Sequence, residues 1–151
     1  MKIVVSACLM GESCKYNWLD NYHRALVEAC ERTGTEVLLV CPEVFGGLPT
    51  PRKPSEIVNG EVRTCEGISV DREFRLGAQR ALDMCEQAGG PSEIAACVLQ
   101  DRSPSCGAGR IYDGTFSGTL TAGNGVFVDL LLRHGYRVIP ASEFDPSMLE
   151  Q

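Results

Sequence analysis

Lys2-Ile3-Val4-Val5-Ser6, a short run of β-branched and apolar residues ended by a loop that contains Gly11, has the composition of a buried β-strand. Downstream, from about Asp20 to Thr33, Tyr22, Ala25, Leu26, Ala29 and Cys30 recur at the spacing of one helix face. Charged residues lie between them, and Gly34 is the stop. Glu36 to Val40 then reads as a second strand. Strand, helix and strand within about forty residues predict a right-handed parallel crossover.

The rest of the chain continues in this style. Cys41 to Lys53 is rich in Gly and Pro and is expected to be an ordered loop or lid with no regular element. Ile57-Val58-Asn59-Gly60-Glu61-Val62 carries the Asn-Gly signal of a tight hairpin. Asp71 is the expected N-cap of a helix reaching about Gln87, with Phe74, Ala78, Ala81, Leu82 and Cys85 on one face. Ile94 to Leu99 is a third parallel strand, Gly125 to His134 a helix, and Arg137 to Ile139 a last strand. The expected fold is α/β: a Rossmann-like parallel sheet of about four strands flanked by helices, with a small inserted β-hairpin. The 151 residues, 44% of them hydrophobic, suit one domain spanning 1–151.

Charge and composition narrow the function. A net charge of -6 with scattered Lys and Arg argues against nucleic acid as a partner, because phosphate binding needs clustered cations. The apolar run at the start is too short for a signal peptide or a membrane span, so no membrane partner and a cytoplasmic location are expected. In that reducing compartment the eight cysteines are core residues, metal ligands or reactive thiols rather than disulfides. The sequence leaves the oligomeric state open.

Cys30 and Cys85 fall on apolar helix faces and Cys97 inside a strand, so these three belong to the core. Cys65 sits in a turn and is read as incidental. Cys8, Cys14, Cys41 and Cys106 follow three of the predicted strands, and parallel strands deliver such loops to one sheet edge, where α/β ligands bind. No pair of them has C-x-x-C spacing, yet cluster thiolates need only converge in space. Ser103-Pro104-Ser105-Cys106-Gly107 is the third of these loops, with two hydroxyls beside a thiol on a turn forced by Pro and Gly.

Three motifs in order, Val5 to Gly11 with Cys14-Lys15-Tyr16, Cys41 to Arg52, and Ser103 to Gly107 with Ile111 to Phe116, make the chain resemble the bacterial thiouracil desulfurase family. The resemblance covers nearly the whole length. It implies a [4Fe-4S] cluster held by Cys8, Cys41 and Cys106, with one iron not ligated by protein. Cys14 is a candidate further ligand at a point where relatives can carry an apolar residue. It implies a small-molecule thiolated pyrimidine as substrate, 2- or 4-thiouracil or a related thionucleotide, converted without electron transfer to the oxo compound and hydrogen sulfide. Glu43 would be general base or proton shuttle, and Ser103 would hydrogen-bond the pyrimidine or relay a proton, with Ser105 as second choice. The family more often shows Asp-Gly after the tyrosine where this chain has Asn17-Trp18, a difference at the pocket rim.

Plainer roles compete for the same residues. Glu43 could cap a turn or pair with Arg52, the serines could only form the turn, and Arg52 and Lys53 are either solvated or contacts for an anionic substrate. His23 and His134 read as helix-surface residues. Three rival functions stay open at this point: a structural zinc site closed by Cys8, Cys14, Cys41 and Cys106, a thiol redox pair of Cys8 and Cys14, or an iron-sulfur carrier without turnover.

Overall fold

The computed structural model describes residues 1–17 and 19–150. At its centre, β1 (Lys2–Ser6) pairs in parallel with β2 (Glu36–Val40) on one side and β5 (Ile94–Leu99) on the other, and β5 pairs in parallel with β8 (Val138–Pro140). The strand order is β2-β1-β5-β8. The chain therefore steps outward from β1 to β2, then crosses back over β1 to reach β5. That reversal is the switch point at which loops diverge and leave a crevice beyond the carboxyl ends of the strands.

Alternation along β1 divides the core into two layers. Ile3 and Val5 pack with Ala96, Val98 and Ile139 against Leu26, Ala29 and Cys30 of α1 (Arg24–Thr33). Val4 packs with Cys97 and Leu99 against Phe74, Ala81 and Leu82 of α3 (Asp71–Gln87), and against Phe127 and Leu131 of α4 (Val126–Arg133). Phe74, Phe127, Leu26 and Leu131 are fully buried, and each such side chain contributes about 2 kcal/mol by leaving water. Cys30, Cys85 and Cys97 lie in these layers, as their placement in the sequence implied.

Several local expectations need correction. The first helix begins at Arg24, not Asp20, because Asn21 N and His23 N donate to the carbonyls of Cys8 and Leu9 and pin this segment to the 3-10 turn Ala7–Met10. Tyr22 and Ala25 are exposed in consequence. His23 is the N-cap rather than a surface residue: Nδ1 accepts from Leu26 N at 3.2 Å and Nε2 donates to Ala141 O at 3.2 Å. Asp71 is the first helical residue, after an N-cap at Val70, and its carboxylate accepts from Val62 N and Arg75 instead of capping. The final strand begins one residue later than expected and ends on Pro140, which an edge strand tolerates.

The Cys41–Lys53 stretch contains a short helix, α2 (Pro42–Phe45), despite its Gly and Pro content. Pro42 suits the first turn, where no backbone donor is needed. Gly46 and Gly77 allow α2 and α3 to touch backbone to backbone: a Cβ on Gly77 would collide with the Pro42 carbonyl, and one on Gly46 with the Glu73 carbonyl. Arg80 then caps the carbonyl of Phe45 at 2.6 Å. The hairpin of β3 (Ser55–Val58) and β4 (Glu61–Thr64) turns at Asn59 and Gly60, both at positive φ as a type I′ turn requires. A second hairpin, β6 (Arg110–Tyr112) with β7 (Leu120–Ala122), forms in a segment to which the sequence assigns no regular element. Among the described residues, no helix is long and apolar enough to cross a membrane.

The α2–α3 contact yields a sharp test. Gly77→Ala should lower unfolding free energy by about 3 kcal/mol, since neither backbone can retreat without moving a helix. A urea titration should show a reduced midpoint with an unchanged slope. An unchanged midpoint would mean that the helices are not in backbone contact.

Candidate functional site

A cavity of about 540 Å³ opens beyond the carboxyl ends of β1, β2 and β5. The 3-10 turn after β1 brings Cys8, the N-cap of α2 brings Cys41, and the turn after β5 brings Cys106; all three line this cavity, as does Cys14. The convergence expected from parallel strand order is therefore present. Cys65 lines it too, from the end of the β3–β4 hairpin, so it is not merely a turn residue remote from the site. Among the described residues, no three His, Cys, Asp or Glu side chains come close enough to share a single metal ion. The thiols are arranged around a space rather than on a point.

The turn after β5 is built by its own side chains. Ser103 Oγ accepts from Cys106 N at 2.8 Å, and Gly107 N donates to Ser103 O. Gly107 and Gly125 leave no room for a Cβ: at Gly107 it would stand 2.7 Å from the Ser103 carbonyl, and at Gly125 it would meet the Ser105 carbonyl. Val126 N and Phe127 N at the start of α4 donate to the carbonyls of Pro104 and Ser105. The N-terminal donors of α4 are thus satisfied by the loop that carries Cys106.

Glu43 is held from two sides. Arg52 Nε donates to Oε1 at 3.1 Å and Ser105 Oγ donates to Oε2 at 3.0 Å. The side chains of Arg52 and Glu43 are 8% and 18% exposed, so Arg52 is an interior residue and not a solvated cation. Arg52 also donates to Cys14 O at 2.9 Å, Pro49 O at 3.1 Å and Thr50 Oγ1 at 3.0 Å, binding the loop after β2 to the segment after β1. The pairing with Arg52 and the placement of Glu43 on the cavity coexist. Lys53, by contrast, is exposed and 3.7 Å from Glu66.

The serines have separate jobs. Ser105 is buried and its hydroxyl reaches Glu43, with Cys106 Sγ at 3.7 Å and Ser103 Oγ at 3.3 Å. Ser103 already accepts from a backbone amide, so its own proton is free to be given to Ser105 or into the cavity.

Electrostatics distinguish the four thiols. Hydrogen bonding with Cys41 first and Cys8 second, then burial, pushes the ionisation of the Cys14 thiol far up. The Cys14 hydrogen bond is the main cause lowering Cys41 to about 7, assisted by the Val44 backbone and Arg52 against burial and Glu43. Cys8 is lowered by the same Cys14 donor and then by Asn21. Cys106 is pushed up to about 12 by burial, although the hydroxyls of Ser6 and Ser105 point at it. Burial disfavours a free Cys106 thiolate, and only a nearby cation would offset the cost of desolvating it; three thiols around one cavity are the donors such a cationic iron group takes. The donor set therefore fits a thiolate-bound iron-sulfur group.

The profile of the 2-thiouracil desulfurase family matches residues 3–143. The chain belongs to that family. The solved structure of the [4Fe-4S]-dependent thiouracil desulfidase TudS is 41% identical, with a TM-score of 0.87, and the match covers 97% of this chain and 94% of TudS. YbbK of Bacillus subtilis (strain 168), an uncharacterized protein, is 35% identical over 153 residues, covering 95% of this chain and 97% of YbbK. Four further contributors have no role assigned from the sequence, although Ser6 and Lys15 fall inside the quoted motifs. Ser6 ties β1 to Gln100 N at 3.0 Å and faces Cys106. Asn21 donates to Cys8 Sγ at 3.5 Å. Lys15 donates to Asn21 Oδ1 at 2.9 Å. Glu56 is buried on β3 and accepts from Gly114 N at 2.9 Å and Phe116 N at 3.2 Å, holding the loop with Tyr112 and Phe116 over the cavity. The rim difference at Asn17-Trp18 falls partly outside the described residues, since Trp18 is not among them.

Because Arg52 neutralises a mostly buried carboxylate, Arg52→Met should destabilise the metal-free protein by about 3 kcal/mol. Glu43→Gln, which still offers an oxygen to Arg52, should cost only about 1 kcal/mol. Thermal unfolding of both variants checks this: equal losses would contradict the ion-pair account.

Proposed function

We propose that this protein removes sulfur from a thiolated pyrimidine, 2- or 4-thiouracil or a related thionucleotide, by a non-redox route. The balance is thiocarbonyl plus water giving carbonyl plus hydrogen sulfide, with no electrons gained or lost. The observation that carries the proposal is the meeting of Cys8, Cys41 and Cys106 with the Glu43–Ser105–Ser103 group on one cavity. Family membership and the likeness to TudS support it.

Cys8, Cys41 and Cys106 would hold a [4Fe-4S] cluster, leaving one iron without a protein ligand; Cys14, beside Cys8 and Cys41, would give its single thiol proton to one of them at a time. When bound, such a cluster supplies a soft Lewis acid suited to a thiocarbonyl sulfur. Glu43 accepts the proton of the attacking water. Arg52 and Ser105 occupy one lone pair on each of its oxygens and fix the carboxylate plane, and each oxygen retains a second lone pair for that proton. Ser103, whose hydroxyl proton is uncommitted, donates to the pyrimidine and can pass a proton through Ser105 to or from Glu43. The loop with Tyr112 and Phe116 covers the ring and limits water.

Anaerobic reconstitution with iron and sulfide, followed by a sulfide-release assay on 2- and 4-thiouracil, tests this directly. Wild type should bind about four irons per chain and release sulfide. Serine variants of Cys8, Cys41 or Cys106 should lose the cluster, whereas Cys14→Ser should keep it. Glu43→Gln and Ser103→Ala should keep the cluster and lose about 10²-fold or more in rate. Zinc binding without iron, or a loaded protein that releases no sulfide, would overturn the proposal.

A further inference from the structure

Asn21 makes a contact whose polarity is decided by its neighbour. Its Oδ1 accepts from Lys15 Nζ at 2.9 Å, and an ammonium can only donate. That partner settles which end of the amide is oxygen, so it is the Nδ2 end that faces Cys8 Sγ, 3.5 Å away. The backbone holds the same geometry, because Asn21 N donates to Cys8 O at 3.0 Å and Lys15 N to Leu19 O at 3.3 Å. Lys15 and Asn21 both line the cavity. Among the described residues, no carboxylate forms an ion pair with Lys15. Its charge is left to polarise the amide.

Resting on the reading of Cys8 as a cluster ligand, we propose that Asn21, polarised by Lys15, is a positioning residue that donates to the Cys8 thiolate and tunes the cluster. The other two sulfurs have different neighbours: Cys106 has the Ser105 hydroxyl at 3.7 Å, whose proton is directed at Glu43, and Cys41 lies 3.9 Å from the Cys14 carbonyl. Among the described residues, Cys8 alone of the three has a donor backed by a cation in this way, so the ligand set is electronically uneven. Hydrogen bonds to a cluster thiolate withdraw electron density, raise the reduction potential and leave the iron more electrophilic.

The test compares the anaerobically reconstituted wild type with Asn21→Asp and Lys15→Met. The aspartate keeps the shape and the Lys15 partner but turns the donor into an acceptor; the methionine removes only the polarising charge. Redox titration followed by the paramagnetic signal of the reduced cluster should give the most positive midpoint for wild type, a more negative one for Lys15→Met, and the most negative for Asn21→Asp. Iron and sulfide content should be equal in all three. Equal loading with equal midpoints would overturn the inference. So would Asn21→Asp failing to load while Lys15→Met loads with an unshifted midpoint, since Asn21 would then serve assembly alone. A wild type that binds no cluster would instead overturn the ligand assignment beneath it.

Discussion

The parallel pairing of β1 with β2 on one side and β5 on the other is the constraint from which the site follows. Three parallel neighbours must end at the same edge, so Ser6, Val40 and Leu99 deliver their following residues to one place. Because the chain reverses its direction of travel between β1 and β5, the loops there part instead of closing over the sheet. The cavity is the space they leave. Nothing local to Cys8, Cys41 or Cys106 would assemble them, since 33 residues separate the first two and 65 the last two in the chain.

On that edge the polar groups divide into two systems that share Ser105. One is a thiol system: Asn21 donates to Cys8, Cys14 sits beside Cys8 and Cys41, and Ser6 and Ser105 neighbour Cys106. The other is a proton system: Arg52, Glu43, Ser105 and Ser103. Ser105 Oγ is 3.0 Å from Glu43 and 3.7 Å from Cys106, so one buried hydroxyl connects the groups that would hold a cluster to the group that would activate water. Arg52 performs a comparable linkage at the backbone level, joining the Glu43 carboxylate to the Cys14 carbonyl.

The sheet and the helices were legible because their signals are local and periodic. β1, β2, β5 and the Asn-Gly hairpin fall where β-branched runs and turn residues place them. The three-cysteine convergence was legible too, through strand order and through the motif resemblance. What escaped was set by tertiary contact. α2 forms among glycines because Gly46 and Gly77 serve a helix–helix approach that has no sequence period. The first helix is shortened by backbone bonds to Cys8 and Leu9, which lie across a loop. Arg52 looked like a surface cation, and only its four partners explain why it is buried. Lys15 lies in the first motif and Asn21 in none, but no motif shows their contact; its meaning lies in which atom of the amide meets which neighbour.

The central claim is that Cys8, Cys41 and Cys106 present a cluster with one iron open to a soft substrate sulfur. Mössbauer spectroscopy of protein reconstituted with the Mössbauer-active isotope of iron, recorded with and without thiouracil, addresses it most directly. The account predicts that one iron in the cluster is distinct from the other three and that it alone shifts when thiouracil is added. A cluster whose irons are all unaffected by thiouracil, or a protein that takes up no iron, would contradict it.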